Sequence, residues 1–370
     1  MKTAFLILVF LHGIIHILGF LKAFRLAEVA QLSRTIPKSL GILWLLCTIL
    51  FLTVFLLMIF NRSWWPFFAV AAVILSQSLI IIFWHDAKFA TILNVVILLV
   101  SIPALGQYHF EKMVQKEQKQ LIANITEKIP EAISEGDLVN LPEIVQKWMM
   151  DSGVIGKPEI ISVCLKQKGE MKIKQDGNWM PFYAEQFFDV KNPAFNWKVE
   201  VKPFPGIHLA GRDKFKDGEG EMQIKLLSLF NVVDDGKNEK VNSGTMLRFL
   251  GEICWFPSAA LNRYITWEEI DATSAKATFR LNDKSVSGLF IFNENGELKS
   301  FEAERFYGAG QDAKKEKWLI ETISHKEFDG VKVPAECNVT WKLPEGDFTW
   351  LKLELTEVDY NKPHLFKKGS

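Results

Sequence analysis

Apolar residues follow two different rhythms along this chain. Up to about residue 107 they come in long runs, and beyond it they alternate with charged residues. Four runs, 3–21, 40–60, 66–84 and 89–107, reach the roughly 20 mostly apolar residues that a helix needs to cross the hydrocarbon core of a bilayer. Trp64 and Trp65 open the third run and Trp84 closes it, where interfacial aromatic rings belong. Pro66 suits a first helical turn, because its missing N–H has no partner there anyway. Lys2 mimics the flank of a signal peptide, but no small-x-small cleavage site follows, so a retained anchor is expected.

Residues 108–151 mix charge and aliphatic side chains at helical spacing, and "LPEIVQKWMMDSG" predicts a short amphipathic helix. From about residue 158 the period becomes two. In "NWKVEV", Trp197, Val199 and Val201 share a face; in "WLKLELTEV", Leu351, Leu353 and Leu355 do. Asp176-Gly177, Asp217-Gly218, Asn295-Gly296, Asp329-Gly330 and Glu345-Gly346 punctuate the runs as turns. About ten strands in this arrangement predict one large, strongly curved antiparallel sheet. Residues 244–264 interrupt it with a helical period. The expected fold is an α + β membrane protein: a four-helix transmembrane region (1–107), a helical linker (108–157) and an antiparallel half-barrel (158–366) with a helical insertion.

Loop charges predict the orientation. The first loop carries Lys22, Arg25, Arg34 and Lys38 against Glu28, whereas the second has only Arg62 and the third Lys88. Positive loops stay cytoplasmic, so both termini and the sheet domain are expected outside, with Lys112, Lys116 and Lys119 as the counter-signal. Over the whole chain 43 basic residues balance 43 acidic ones. No global field recruits a polyanion, and no basic, aromatic-rich stripe supports nucleic-acid binding. Cys47, Cys164, Cys254 and Cys337 form no CxxC pair, leaving room for one disulfide in the soluble part and no framework.

Several stretches together resemble an uncharacterised bacterial domain family over about residues 139–361. They include the Leu-Pro helix at 141–142, Trp179-x-Pro-Phe-x-Ala, Arg248-x-Leu-x-Glu-x-x-Trp-x-Pro and Gly330-Val-x-x-Pro. Some members also share the four spans and a His-Gly-x-x-His. That resemblance implies domain limits and a multi-pass bacterial membrane protein more than any chemistry. More loosely, the closing hairpin is similar to those of LolA-like lipoprotein-carrier half-barrels, which implies an apolar groove, capped by helices, that holds lipid chains.

Two groups of residues carry candidate chemistry. His12 and His16 are four apart and share one helix face. His85 and Asp86 end the third run on the same side as His16, and Gln77 and Asn94 lie deeper. Ionisable groups in a membrane face the bundle interior and often mark function, and a His pair with a carboxylate can hold a metal or relay a proton. The plainer alternative is hydrogen bonding between helices, with Gly13 and Gly19 allowing close approach, and a solvated loop for His85 and Asp86. The second group is Arg248 and Glu252, with Trp255 close behind. Set among Met246, Leu247, Phe249 and Leu250, the pair either orients a ligand head group or locks the helix to the sheet. In "SFEAERF", strand alternation puts Glu302 and Glu304 on one face and Arg305 on the other.

No Gly-x-Ser-x-Gly, phosphate-binding loop or His-Glu-x-x-His occurs. Two histidines of one helix cannot ligate both faces of a haem, and no cofactor is named by the residues. Three function classes stand. The first is a bilayer-anchored binding module for a lipid or other apolar ligand. The second is a metal-dependent or redox membrane enzyme built on His12, His16, His85 and Asp86. The third is a structural or sensory protein. A reporter active only in the cytoplasm, fused after Phe366, is expected to stay silent; activity would invert the orientation.

Overall fold

The computed structural model describes residues 2–123, 125, 130–308 and 312–366. The chain divides into two compact units, residues 1–112 and 113–370. The first holds α1 (Lys2–Ala23), α2 (Lys38–Ile59), α3 (Trp65–Ile82), the single turn α4 (Trp84–Ala87) and the start of α5 (Ala90–Ala123). Four of these, α1, α2, α3 and α5, are long and apolar enough to cross a membrane. The last does not stop near residue 107 but continues as one helix to Ala123.

Val9, Trp44, Phe51, Val54, Ala69 and Leu79 fill the interior of this unit, while Ile7, Leu11, Ile42 and Leu99 point outward. A Cβ on Gly19 would lie 2.2 Å from the Trp44 ring, so α1 and α2 meet where a side chain is missing. At one end Asp86 accepts the backbone N–H and hydroxyl of Ser33 at 2.7 and 2.8 Å. At the other, Lys2 reaches Asn61 at 2.6 Å.

The second unit contains the rest of α5, a 3-10 turn (Glu135–Leu138), α6 (Glu143–Asp151) and one sheet. Its strands are β1 (Ser162–Met171), β2 (Met180–Asp189), β3 (Ala194–Phe204), β4 (Ile207–Lys216), β5 (Glu219–Leu226), β6 (Phe230–Gly236), β7 (Ile265–Asp271), β8 (Ser274–Leu281), β9 (Lys284–Phe292), β10 (Leu298–Tyr307), β11 (Lys314–Phe328), β12 (Val331–Leu343) and β13 (Gly346–Tyr360). Their order is β6-β5-β4-β3-β2-β1-β13-β12-β11-β10-β9-β8-β7, with β1 antiparallel to β13. Two meanders thus join through the first and last strands, and the sheet does not close, because its edges β6 and β7 are unpaired with each other.

Among the described residues thirteen strands form where about ten were expected. The edge strand β6 shows why: most of its residues are exposed, and backbone pairing with β5, not a buried face, makes it a strand. Asp217-Gly218 and Asp329-Gly330 are two-residue turns with positive φ at both positions (55° and 80°; 48° and 76°). Asn295-Gly296 lies instead in a longer loop that Asn293 organises, its side-chain oxygen accepting the N–H groups of Asn295 and Glu297.

The link between the two free edges runs through α7 (Glu239–Glu252) and two 3-10 segments, Ile253–Trp255 and Pro257–Leu261. The helix begins five residues before the expected insertion at 244. Asn238 caps it by accepting the Val241 N–H at 3.1 Å, and its polar first turn hid the helical period. Curvature follows from one contact. On the flat sheet β4 and β8 would lie nine strand spacings apart, about 43 Å at roughly 4.8 Å each. Their Phe215 and Phe279 rings are 6.1 Å apart, and both rings pack on Phe249 of α7. The sheet therefore wraps around the helix. All four cysteines are free and buried, so the disulfide that the count allowed is not formed.

Phe249 is fully buried between the two meanders. Phe249→Ala is expected to destabilise the sheet domain by about 3–5 kcal/mol, read as a lowered unfolding midpoint of the full chain. An unchanged midpoint would show that α7 does not hold the meanders together.

Candidate functional site

The face of α7 that carries Gly244, Arg248 and Glu252 looks onto strands of both meanders. Arg248 donates from Nε to Glu252 at 2.7 Å, from Nη1 to Asp213 of β4 at 2.7 Å and from Nη2 to Gln186 of β2 at 3.3 Å. Gln186 closes the ring by donating to the second Glu252 oxygen at 2.7 Å. The guanidinium also lies 4.5 Å from the Trp197 ring centre and 5.0 Å from that of Phe195. All three ionic side chains are nearly buried, at 13%, 6% and 8% exposure for Arg248, Asp213 and Glu252. Burial pushes the Glu252 carboxyl above the usual range, against the pull of the Arg248 guanidinium.

Beside this cluster lies a cavity of about 340 Å³. Its wall is mostly apolar, with Met180, Phe182, Val199, Leu209, Ile320 and Leu353 among its residues, together with Arg248, Glu252 and Trp255. The three candidate ligand-site residues are thus all among those that line the cavity. Trp255 is 4% exposed, and its carbonyl accepts the Tyr360 hydroxyl at 2.8 Å. Ile173 and Val232 also line the cavity and are 72% and 60% exposed, so it reaches the surface between them.

Arg212 and Arg305 line the same cavity. Arg305 of β10 stacks at 4.5 Å on the Trp318 ring and lies 5.8 Å from that of Trp341. Burial pulls its pKa down to about 10, and the Asp213 charge resists that. Only its relation to Glu302 and Glu304 was legible as alternation. The same alternation places it with buried Phe301 and Ala303, which was the signal for an inward guanidinium.

The histidines follow the plainer of the two readings, hydrogen bonding between helices. His16 donates from Nδ1 to the His12 carbonyl at 2.7 Å, so its Nε2 accepts from the Ser76 hydroxyl at 2.9 Å. His12 Nε2 donates to the Asn94 side-chain oxygen at 2.9 Å, and the Asn94 amide donates to Ser76 and Gln77, both at 3.0 Å. These contacts tie α1, α3 and α5 together. His85 and Asp86 lie in the exposed turn α4, where Asp86 is bonded to Ser33 and, at 3.0 Å, to His85. Hydrogen bonds from His85 and Ser33 hold the Asp86 carboxyl down at about 2. His16 thus meets neither His85 nor Asp86, because rotation about the helix axes, unreadable from spacing, turns it to Ser76. Among the described residues no group of three or more His, Cys, Asp or Glu is placed to hold a metal ion.

The profile of a family of unknown function, DUF6920, matches residues 139–360. The chain belongs to this family. The limits agree with the motif resemblance over 139–361, and DUF6920 carries no assigned activity to the site. No curated protein matches the chain. Among solved structures, it is similar to a LolA superfamily protein from Nitrosomonas europaea (11% identity, TM-score 0.34, covering 60% of this chain and 93% of that one). It is also similar to a DUF1329 family protein from Desulfovibrio piger (7% identity, TM-score 0.32, covering 55% and 87%). At these scores the likeness fixes neither ligand nor mechanism in this DUF6920 protein.

Arg248→Met would leave Asp213 and Glu252 buried without their counter-ion. It is expected to cost about 3–5 kcal/mol at pH 7 and less at pH 5, because carboxyls without the guanidinium take up protons as pH falls. Unfolding midpoints of variant and wild type at both pH values check this; a pH-independent penalty would contradict it.

Proposed function

We propose that this is a membrane-anchored binding protein whose sheet domain holds a lipid or another apolar ligand. The observation that carries the reading is the mostly apolar cavity of about 340 Å³ with exposed Ile173 and Val232 at its mouth. Small-molecule sites run from roughly 300 to 1,000 Å³, so this one suits a single chain and not several. Each buried methylene is worth about 0.8 kcal/mol. A tail of about ten would gain on the order of 8 kcal/mol before the costs of ordering it, enough for binding without any reaction.

The helical unit fits the anchor. Its four long helices turn isoleucine and leucine outward, as a hydrocarbon environment favours, while the histidines bond inside. In that reading His12 and His16 join helices. The loop charges favour placing the sheet domain outside the cytoplasm, where a carrier of apolar ligands meets the membrane surface.

Native mass spectrometry of the full chain, purified in detergent, tests the proposal. A bound mass in the lipid range is expected, and Met180→Trp, which fills the cavity near its mouth, should remove it. A chain that arrives bare and takes up no added fatty acid, or equal occupancy in Met180→Trp, would overturn the reading.

A further inference from the structure

Three guanidiniums line the cavity, and two are spent, Arg212 being paired with Glu117 and Glu221 at 3.3 Å each. Arg248 places its donors on Glu252, Asp213 and Gln186, so both nearby carboxylates are engaged by it. Arg305 is backed by α7 at Gly244, where a Cβ would lie 3.4 Å from its Nε. Its contacts are the faces of Trp318 and Trp341. Among the described residues it has no hydrogen-bond or ion-pair partner. A guanidinium carries five N–H donors and no acceptor, and polar groups withdrawn from bulk water are normally hydrogen-bonded. Stacking on indole fixes the plane of the group and leaves its edge free, the edge that accepts a carboxylate or phosphate in a two-pronged pair.

We propose that the ligand is a single-chain amphiphile with an anionic head group, its head paired with Arg305 and its tail filling the apolar cavity. This rests on the lipid-binding reading and narrows it. Charge complementarity selects the class. The carboxylates in the wall are already paired with Arg248, and three guanidiniums beside them repel a cationic head, while a neutral head would leave the Arg305 charge without a counter-ion. The shared chemistry is a compact anion, either a fatty-acid carboxylate or a phosphate monoester.

The test is a competition in which the detergent-purified full chain is offered equal amounts of tetradecanoate and its methyl ester, with bound masses read by native mass spectrometry. The wild type is expected to take the acid over the ester by about tenfold, the scale of one charge-assisted pair. Arg305→Met should bring that ratio near one while ester uptake persists, and Arg305→Lys should keep part of the preference. Comparing ratios between variants cancels the unequal partition of the probes into micelles. A second arm replaces the acid with tetradecyl phosphate, and preference for either anion over the ester supports the proposal and names the head group. Equal uptake of acid and ester by the wild type would overturn it and leave lipid binding intact. So would an acid-to-ester ratio unchanged in Arg305→Met, or loss of both ligands in both variants, which would make Arg305 a support of the fold. A wild type that binds none of the three probes overturns the lipid reading itself.

Discussion

The chain leaves the sheet at one free edge, β6, and must re-enter it at the other, β7, and that requirement shapes the sheet domain. The link between them crosses the face of the sheet, and buried Arg248 ties the link to that face. Its guanidinium joins α7 to β2 through Gln186 and to β4 through Asp213, while Phe249, one residue on, packs against Phe279 of β8 from the other meander. A helix held from both sides bends the sheet around itself. An open sheet wrapped on a helix of only 14 residues leaves part of its concave face uncovered, and the cavity lies there.

A buried ion cluster is a poor source of stability, because desolvating the charges offsets much of their attraction. Its consequence here is geometric. Arg248 needs its acceptors from a helix and two strands at once, so it fixes where α7 sits. It also engages both carboxylates of the cavity wall, Asp213 and Glu252. The cavity keeps a mostly apolar wall and, among the described residues, one guanidinium, that of Arg305, without a hydrogen-bond or ion-pair partner.

Much of this was legible in the residues. Length and composition marked the four apolar helices, alternation marked the sheet, and the spacing of Arg248 and Glu252 put them on one helix face. What escaped depended on partners distant in sequence. The polar first turn of α7 has no helical period, and its cap, Asn238, is one of many asparagines. β6 exists because β5 offers it a ladder. His16 could be assigned a depth but not a direction, and its partner, Ser76, comes from another helix. Alternation set Arg305 on the face opposite Glu302 and Glu304, but that it has no hydrogen-bond or ion-pair partner among the described residues is decided only in the folded arrangement.

The central claim is that α7 and the sheet hold a cavity for an apolar ligand. It is tested most directly by an experimental density map of the full chain purified without added lipid. The account predicts an elongated feature between Met180, Leu209 and Leu353, continuous with the opening at Ile173 and Val232. A cavity closed by inward movement of Trp255 or Trp318, with side chains in place of ligand density, would contradict it.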